Sequence, residues 1–467
     1  MFKNCQIYNT TYEWTNHPVL HFDFSRMPNG SPKELRMWLM ESLKIIARQQ
    51  GIEIEGSSVQ MLLQTLVEGL AQTNKVVILI DEYDHPIISK LNMLDIAEQN
   101  REELKGFFDT MKSLDDHIKF TFITGVSKFS QVSLFSSLNN LTDITMSEEY
   151  AQMFGYTEQE VKQYFHDHIE RIVRGSKEQQ KNGAHALVLN EMRDWYNSYR
   201  FSRDVSSVYN PLSTLKYMQT GVADSYWYST GTPSFLIQQI QKSPRAVLSL
   251  SGATALKSTL SDISNLKRIN LAALMFQTGY LTITDYDQEK NLYGLDFPNR
   301  EVRQAFFNSL LEEFAEIDPA DLVKSAQQVQ QAICSYDIQS FVAMINAHFS
   351  KIAYQLFSKS KEGFYYAIFL TVLERSGFRT SAEVATNVGK IDLVIELPKA
   401  TCIFELKLDK TAEIAFDQVS AKQYKGRYVY GNKEILVVGI NFSSKTRAIS
   451  DWKAKLFSSE GIELKKL

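Results

Sequence analysis

The chain has 467 residues, with 50 Lys+Arg against 54 Asp+Glu, 44% hydrophobic and 12% aromatic residues. Two to four domains fit in that length, and the composition is that of an ordinary soluble globular protein. No apolar run is long enough to span a bilayer, and the N-terminus lacks the basic-then-apolar order of a secretion signal. Cys5, Cys334 and Cys402 are odd in number and far apart, which argues for a reducing compartment and against a disulfide framework or a Cys-ligated metal. Charge is unevenly placed: residues 361–467 hold 17 Lys+Arg against 13 Asp+Glu, or +4, so residues 1–360 carry −8 of the total −4. The C-terminal part is therefore the better candidate to approach a polyanion.

In chain order, residues 18–24 read as a strand. An amphipathic helix follows from Ser31 to Gln50, with Ser31 and Glu34 in capping-box spacing, and a second from Ser58 to Gln72. Lys75-Val-Val-Ile-Leu-Ile-Asp-Glu-Tyr-Asp-His-Pro is a fully apolar strand ending in acidic residues, residues 96–113 a helix, and Lys119 onward the next strand. Strands apolar on both faces and alternating with helices predict a parallel sheet covered on both sides. Residues 148–245 read as mostly helical, with a second capping box at Thr157 and Glu160. Aromatic groups there, Trp195, Tyr196, Tyr199 and Phe201, then Tyr226, Trp227 and Tyr228, read first as core packing and second as base-stacking platforms. Residues 246–345 mix helix with a hairpin around Tyr280–Tyr293, suited to a small winged-helix-like connector. The last part reads as a helix at 363–376 with Glu362 at its start, strands at 380–386, 389–397 and 401–408, a helix at 412–424 and a strand at 434–440.

Two acidic motifs stand out. Val77-Ile-Leu-Ile-Asp-Glu has the shape of a Walker B strand, which would place Asp81 to hold Mg²⁺ and Glu82 to polarise water, with Thr124, Ser127 and Lys128 near a terminal phosphate. Strands ending in Asp-Glu are common without such a role, and no Gly-x-x-x-x-Gly-Lys-Ser/Thr loop occurs in residues 1–467. His85, between Asp84 and Pro86, reads as a turn-stabilising residue. The second motif is sharper. Asp392 lies on one apolar strand, and Glu405 and Lys407 lie two apart on the next, so the latter pair shares a face. Buried charge is costly unless paired or metal-bound, so two carboxylates and a lysine predict a site for a divalent cation and an attacking water.

With these strings go Tyr12-Glu-Trp, Pro18-Val-Leu-His-Phe-Asp-Phe-Ser, Ile80-Asp-Glu-Tyr-Asp-His-Pro, Thr124-Gly-Val-Ser-Lys-Phe-Ser, Leu138-Asn-Asn-Leu-Thr-Asp-Ile, Trp195-Tyr-Asn-Ser-Tyr-Arg-Phe, Tyr209-Asn-Pro, Phe276-Gln-Thr-Gly-Tyr-Leu-Thr-Ile, Gly389-Lys-Ile-Asp-Leu-Val-Ile and Phe404-Glu-Leu-Lys. Jointly they resemble the bacterial AAA-ATPase-like proteins that carry a C-terminal PD-(D/E)xK nuclease-superfamily domain. The resemblance implies an α/β fold in four parts: an incomplete P-loop-like parallel-sheet domain at 1–147, a helical lid-like region at 148–245, a small mixed connector at 246–345, and a restriction-endonuclease-like αβββαβ domain at 346–467. It implies a phosphate-binding loop ahead of residues 18–24, which this chain starts too late to include. The expectation is thus a truncated or split member with a degenerate ATP site at Asp81, Glu82 and Thr124. It also implies Asp392, Glu405, Lys407 and Glu362 as catalytic residues, Asp392 and Glu405 as ligands of Mg²⁺ or Mn²⁺, and Lys390, Gln418 and Tyr424 as substrate contacts. The expected activity is hydrolysis of phosphodiester bonds in nucleic acid by a cytoplasmic, non-membrane protein, with homo-oligomerisation through the AAA-like domain. The alternative is a nucleotide-binding regulator or scaffold whose nuclease-like domain only binds nucleic acid or a partner.

Overall fold

The computed structural model describes residues 2–28, 30–128, 134–135, 138, 140–175, 183–227, 234–261, 263, 266, 269–315, 319–357 and 362–467. Two compact units divide the chain, one comprising Met1–Asp143 with Ser258–Thr278, the other Ile144–Lys257 with Gly279–Leu467.

In the first unit, β1 (Val19–Asp23), β2 (Val76–Asp81) and β3 (Ile118–Ile123) form an all-parallel sheet in that order, with Val19 paired to Val77 and Asp23 to Asp81. α1 (Pro32–Gln50) begins at the expected capping box, where the Ser31 backbone N–H donates to the Glu34 carboxylate at 2.6 Å. α2 (Val59–Ala71) is capped by Ser58, and α3 (Leu94–Ser113) completes the crossovers. These helices pack on one another and on Leu20, Phe22, Ile78 and Ile80. The other face differs from expectation, because Val19 and Phe120 are exposed on it. All three crossover helices lie together, so the described residues cover one side of the sheet.

In the second unit, α4 (Glu158–Tyr164) starts at the Thr157–Glu160 capping box. It joins α5 (His166–Gly175), α6 (Ala184–Tyr196) and α7 (Pro211–Thr220) around a core of Val161, Ile169, Met192, Tyr196, Tyr209 and Tyr217. The aromatic group at 195–201 is thus mostly core. Tyr228 lies outside the described residues, as do Phe129, Ser130 and Asn139 of the quoted strings. β4 (Ala253–Ala255), β5 (Thr282–Asp287) and β6 (Leu292–Asp296) make a small antiparallel sheet ordered β4-β6-β5. The longer helices that follow are α8 (Arg300–Ala315), α9 (Pro319–Cys334) and α10 (Ile338–Phe349).

The C-terminal region opens with α11 (Glu362–Arg375), buried on nearly every side. Its far end is tied by Arg303, which donates two bonds of 2.7 Å to the Glu374 carboxylate. Then come β7 (Thr380–Thr386), β8 (Gly389–Glu396), β9 (Ala400–Leu408), α12 (Ala412–Ala421) and β10 (Glu434–Ser443), the expected αβββαβ order. α12 stops three residues short of Tyr424, because Gln423 adopts a left-handed backbone (φ 49°) and Tyr424 enters a 3₁₀ turn. Two further strands, β11 (Ala448–Phe457) and β12 (Glu463–Lys466), extend the sheet to the order β12-β11-β10-β9-β8-β7. β9 and β10 are parallel, joined by α12; the other pairings are antiparallel. Among the described residues, no helix is long and apolar enough to cross a membrane.

Gly439 lets α12 lie close on this sheet. A Cβ there would sit 2.7 Å from both the Ala412 carbonyl oxygen and the Phe416 amide nitrogen. Gly439→Ala therefore drives a methyl into helix backbone, and we expect a loss of about 1–3 kcal/mol in denaturant unfolding of the full chain. An unchanged midpoint would mean that the helix is not seated this tightly.

Candidate active site

β8 and β9 pair from Glu396–Thr401 to Leu393–Phe404 and stop there. One more step of the same register would set Asp392 opposite Glu405. Instead the Leu406 amide donates to Asp392 Oδ2 at 2.9 Å, so a side chain takes the place of a backbone acceptor as the strands part. β9 stays paired with β10 through Leu408, which holds Glu405 and Lys407 in place on the open side. Phe404 stacks edge-on against Phe369 of α11, so its neighbour Glu405 points to the opposite face, toward α12.

Glu405 is completely buried. Lys407 Nζ donates to Glu405 Oε1 at 2.9 Å and lies 3.9 Å from Asp392 Oδ2, so one ammonium serves two carboxylates. The Gln418 side-chain amide of α12 also donates to Glu405 Oε1. Glu405 Oε2 is buried with no hydrogen-bond partner. Burial, then the charge of Asp392, pushes the Glu405 carboxyl up to about 7. Burial also raises Asp392, against the opposing effects of the Leu406 amide and Lys407. Two carboxylates share one ammonium and one of their buried oxygens is unused, which is the donor set of a hard divalent cation that would displace the proton. The chain's chemistry therefore fits Mg²⁺ or Mn²⁺ at Asp392 and Glu405.

From α11, the Tyr366 hydroxyl lies 2.7 Å from Glu362 Oε1 and also contacts the Leu406 carbonyl oxygen, linking the helix to the strand between the acid and the lysine. Arg245, from the turn before β4, places Nη1 3.8 Å from Glu362 Oε2 and donates through Nε to Glu383 Oε1 at 3.1 Å. Its backbone comes so near α11 that a Cβ at Gly363 would lie 3.0 Å from the Arg245 amide nitrogen.

Residues 1–135 match the family described as Predicted AAA-ATPase, and residues 360–452 match the PD-(D/E)XK nuclease superfamily. The chain is thus similar to a predicted AAA-ATPase in its first part and to the PD-(D/E)XK nuclease superfamily in its last. It is 29% identical over 460 residues to the "Uncharacterized protein in vnfD 5'region" of Azotobacter chroococcum mcd 1, covering 96% of this chain and 85% of that one. No solved structure matches it.

Within the nuclease-superfamily domain, the structure brings Asp392, Glu405, Lys407 and Gln418 together, with Glu362 joined through Tyr366. Lys390 is turned to the edge strand, where it pairs with Glu383 at 2.8 Å. Tyr424 packs wholly buried in the core with Ile391, Val394 and Phe416, so it offers no surface to a substrate in this conformation. Sequence reasoning missed Tyr366, Glu383 and Arg245. Tyr366 had a signal, being one helical turn from Glu362 on the same face; Arg245 had none.

In the AAA-ATPase-like region, Asp81 Oδ1 accepts from the Thr124 hydroxyl at 2.5 Å and from the Glu82 backbone amide at 3.1 Å at the carboxyl end of β2, while the Glu82 carboxylate lies 3.9 Å from His85 Nδ1. Lys128 instead pairs with Asp143 at 2.5 Å. The acid that sequence reasoning passed over is Asp84. Fully buried, it accepts from the Val126 and Ser127 amides at 3.1 and 2.6 Å and from the Ser127 hydroxyl at 2.9 Å, clamping the turn after β3. Burial raises it to about 6 despite these bonds.

Proposed function

We propose that the nuclease-superfamily domain hydrolyses phosphodiester bonds in nucleic acid, with Mg²⁺ or Mn²⁺ held by Asp392 and Glu405. The observation that carries this is the buried, unpartnered Glu405 Oε2 beside a second carboxylate, served by one lysine. The cation would lower the pKa of a bound water and neutralise charge gathering on the phosphate. Lys407, fixed by Glu405 Oε1 and the Leu406 carbonyl oxygen at 3.1 Å, is held where it can orient the attacking water and take up developing negative charge. Gln418 holds Glu405 on its α12 side, leaving Oε2 to the cation. The excess of Lys+Arg in residues 361–467 suits a polyanionic substrate.

The test is cleavage of single- and double-stranded DNA and of RNA by the full chain with Mg²⁺, with Mn²⁺ and with EDTA. Wild type is expected to cut only with a divalent cation, and Asp392→Ala to leave every substrate intact. Identical traces for the two proteins would refute the catalytic reading and leave a binding or scaffolding domain.

A further inference from the structure

We propose that His166, Glu170 and His185 form a second metal site, for a divalent transition cation of the zinc type. His166 and Glu170 stand one turn apart on α5, and His185 is the second residue of α6. One ligand atom from each of the three lies within 4.8 Å of the others, a spread that a single ion can close with small rotamer changes. His185 Nε2 already sits 3.4 Å from Glu170 Oε1. His166 Nδ1 lies 3.4 Å from Asp167 Oδ1, an outer contact that orients the ring. The chain has eight histidines, and three of them, His166, His168 and His185, fall on this one helix pair.

The frame beneath the ligands is a packed core. Ile169, between the two α5 ligands in sequence, is fully buried, and Val188 and Met192 of α6 share its core. The two helices are therefore held at a fixed spacing while the ligand side chains stay at the surface. Two imidazoles and a carboxylate are a donor set for Zn²⁺, Co²⁺ or Ni²⁺ and not for Mg²⁺, which seeks oxygen alone; a fourth position remains for water or an outside ligand. The site thus differs in chemistry from the Asp392–Glu405 pair.

The experiment titrates Zn²⁺ alone into the EDTA-stripped full chain by calorimetry, with Co²⁺ absorption as a second readout. Wild type is expected to bind one Zn²⁺ that His166→Ala and His185→Ala each weaken at least tenfold, while Asp392→Ala retains it. Bound Co²⁺ should give the visible absorption of nitrogen-ligated, near-tetrahedral cobalt in wild type and in Asp392→Ala alike. The three ligands are exposed or half-buried, so the variants are expected to keep the wild-type circular dichroism. Wild-type Zn²⁺ isotherms in both histidine variants, or loss of binding in Asp392→Ala alone, would overturn the proposal.

Discussion

Glu405→Gln should make the protein more stable at neutral pH and sharply reduce its cleavage of nucleic acid. Glu405 titrates at about 7 in the folded chain against 4.5 for a free carboxyl. An acid whose folded pKa is raised contributes stability fully only below the unfolded value. That contribution is lost as pH climbs from about 4.5 through about 7, because the unfolded chain releases the proton first. At about 1.4 kcal/mol per unit, the carboxylate costs on the order of 3 kcal/mol above that window. The neutral amide never incurs it. Melts in EDTA should therefore show the variant gaining on wild type between pH 5 and pH 8. Asp84, at about 6, and Glu301, a buried residue of α8 raised by that burial to about 7, slope the same way, but in both proteins, so they cancel in the difference. Adding Mg²⁺ should narrow the gap by stabilising wild type alone, and cleavage should fall on the order of 10³-fold. A pH-independent difference between the two proteins would show that Glu405 stays ionised throughout.

Lys407→Met separates the lysine's two roles. Its ammonium is the counterion of both carboxylates, and methionine fills similar volume without charge. Removing one partner from a buried ion cluster costs about 3–5 kcal/mol when the others remain charged. Urea unfolding in EDTA should show that loss at pH 8 and a smaller one at pH 5, where Glu405 holds its proton in both proteins. Affinity for Mn²⁺ should be kept or increased, since a competing cation is gone, while kcat drops about 10²–10⁴-fold. Full turnover in this variant would remove Lys407 from the chemistry and leave it a charge balancer.

Both predictions rest on residues legible before any coordinates. Asp392, Glu405 and Lys407 declare themselves because their charges stand inside the apolar stretches of two neighbouring strands, and period-2 geometry fixes which of them share a face. Capping boxes at Ser31 and Thr157 placed two helix starts to the residue for the same kind of reason: the signal is local. What escaped was non-local. The parting of β8 from β9 depends on a side chain outcompeting a backbone acceptor, which no spacing encodes. Strand β11 carries its alternation faintly, with Lys453 and Lys455 alternating with Ala454 and Leu456, and β12 is exposed throughout. Tyr424 looked like a continuation of α12 because nothing in its composition announces the left-handed residue before it. The one-sided covering of the first sheet likewise follows from where crossover helices go, a matter of topology.

Arg245 stands far upstream of residues 360–452, yet it lies against Glu362 and Glu383, and its charge reaches Asp392. The acidic pocket is therefore not autonomous. Excising the nuclease-superfamily segment would leave the protonation of its carboxylates under different electrostatic control, and a fragment's pH profile would not speak for the parent molecule.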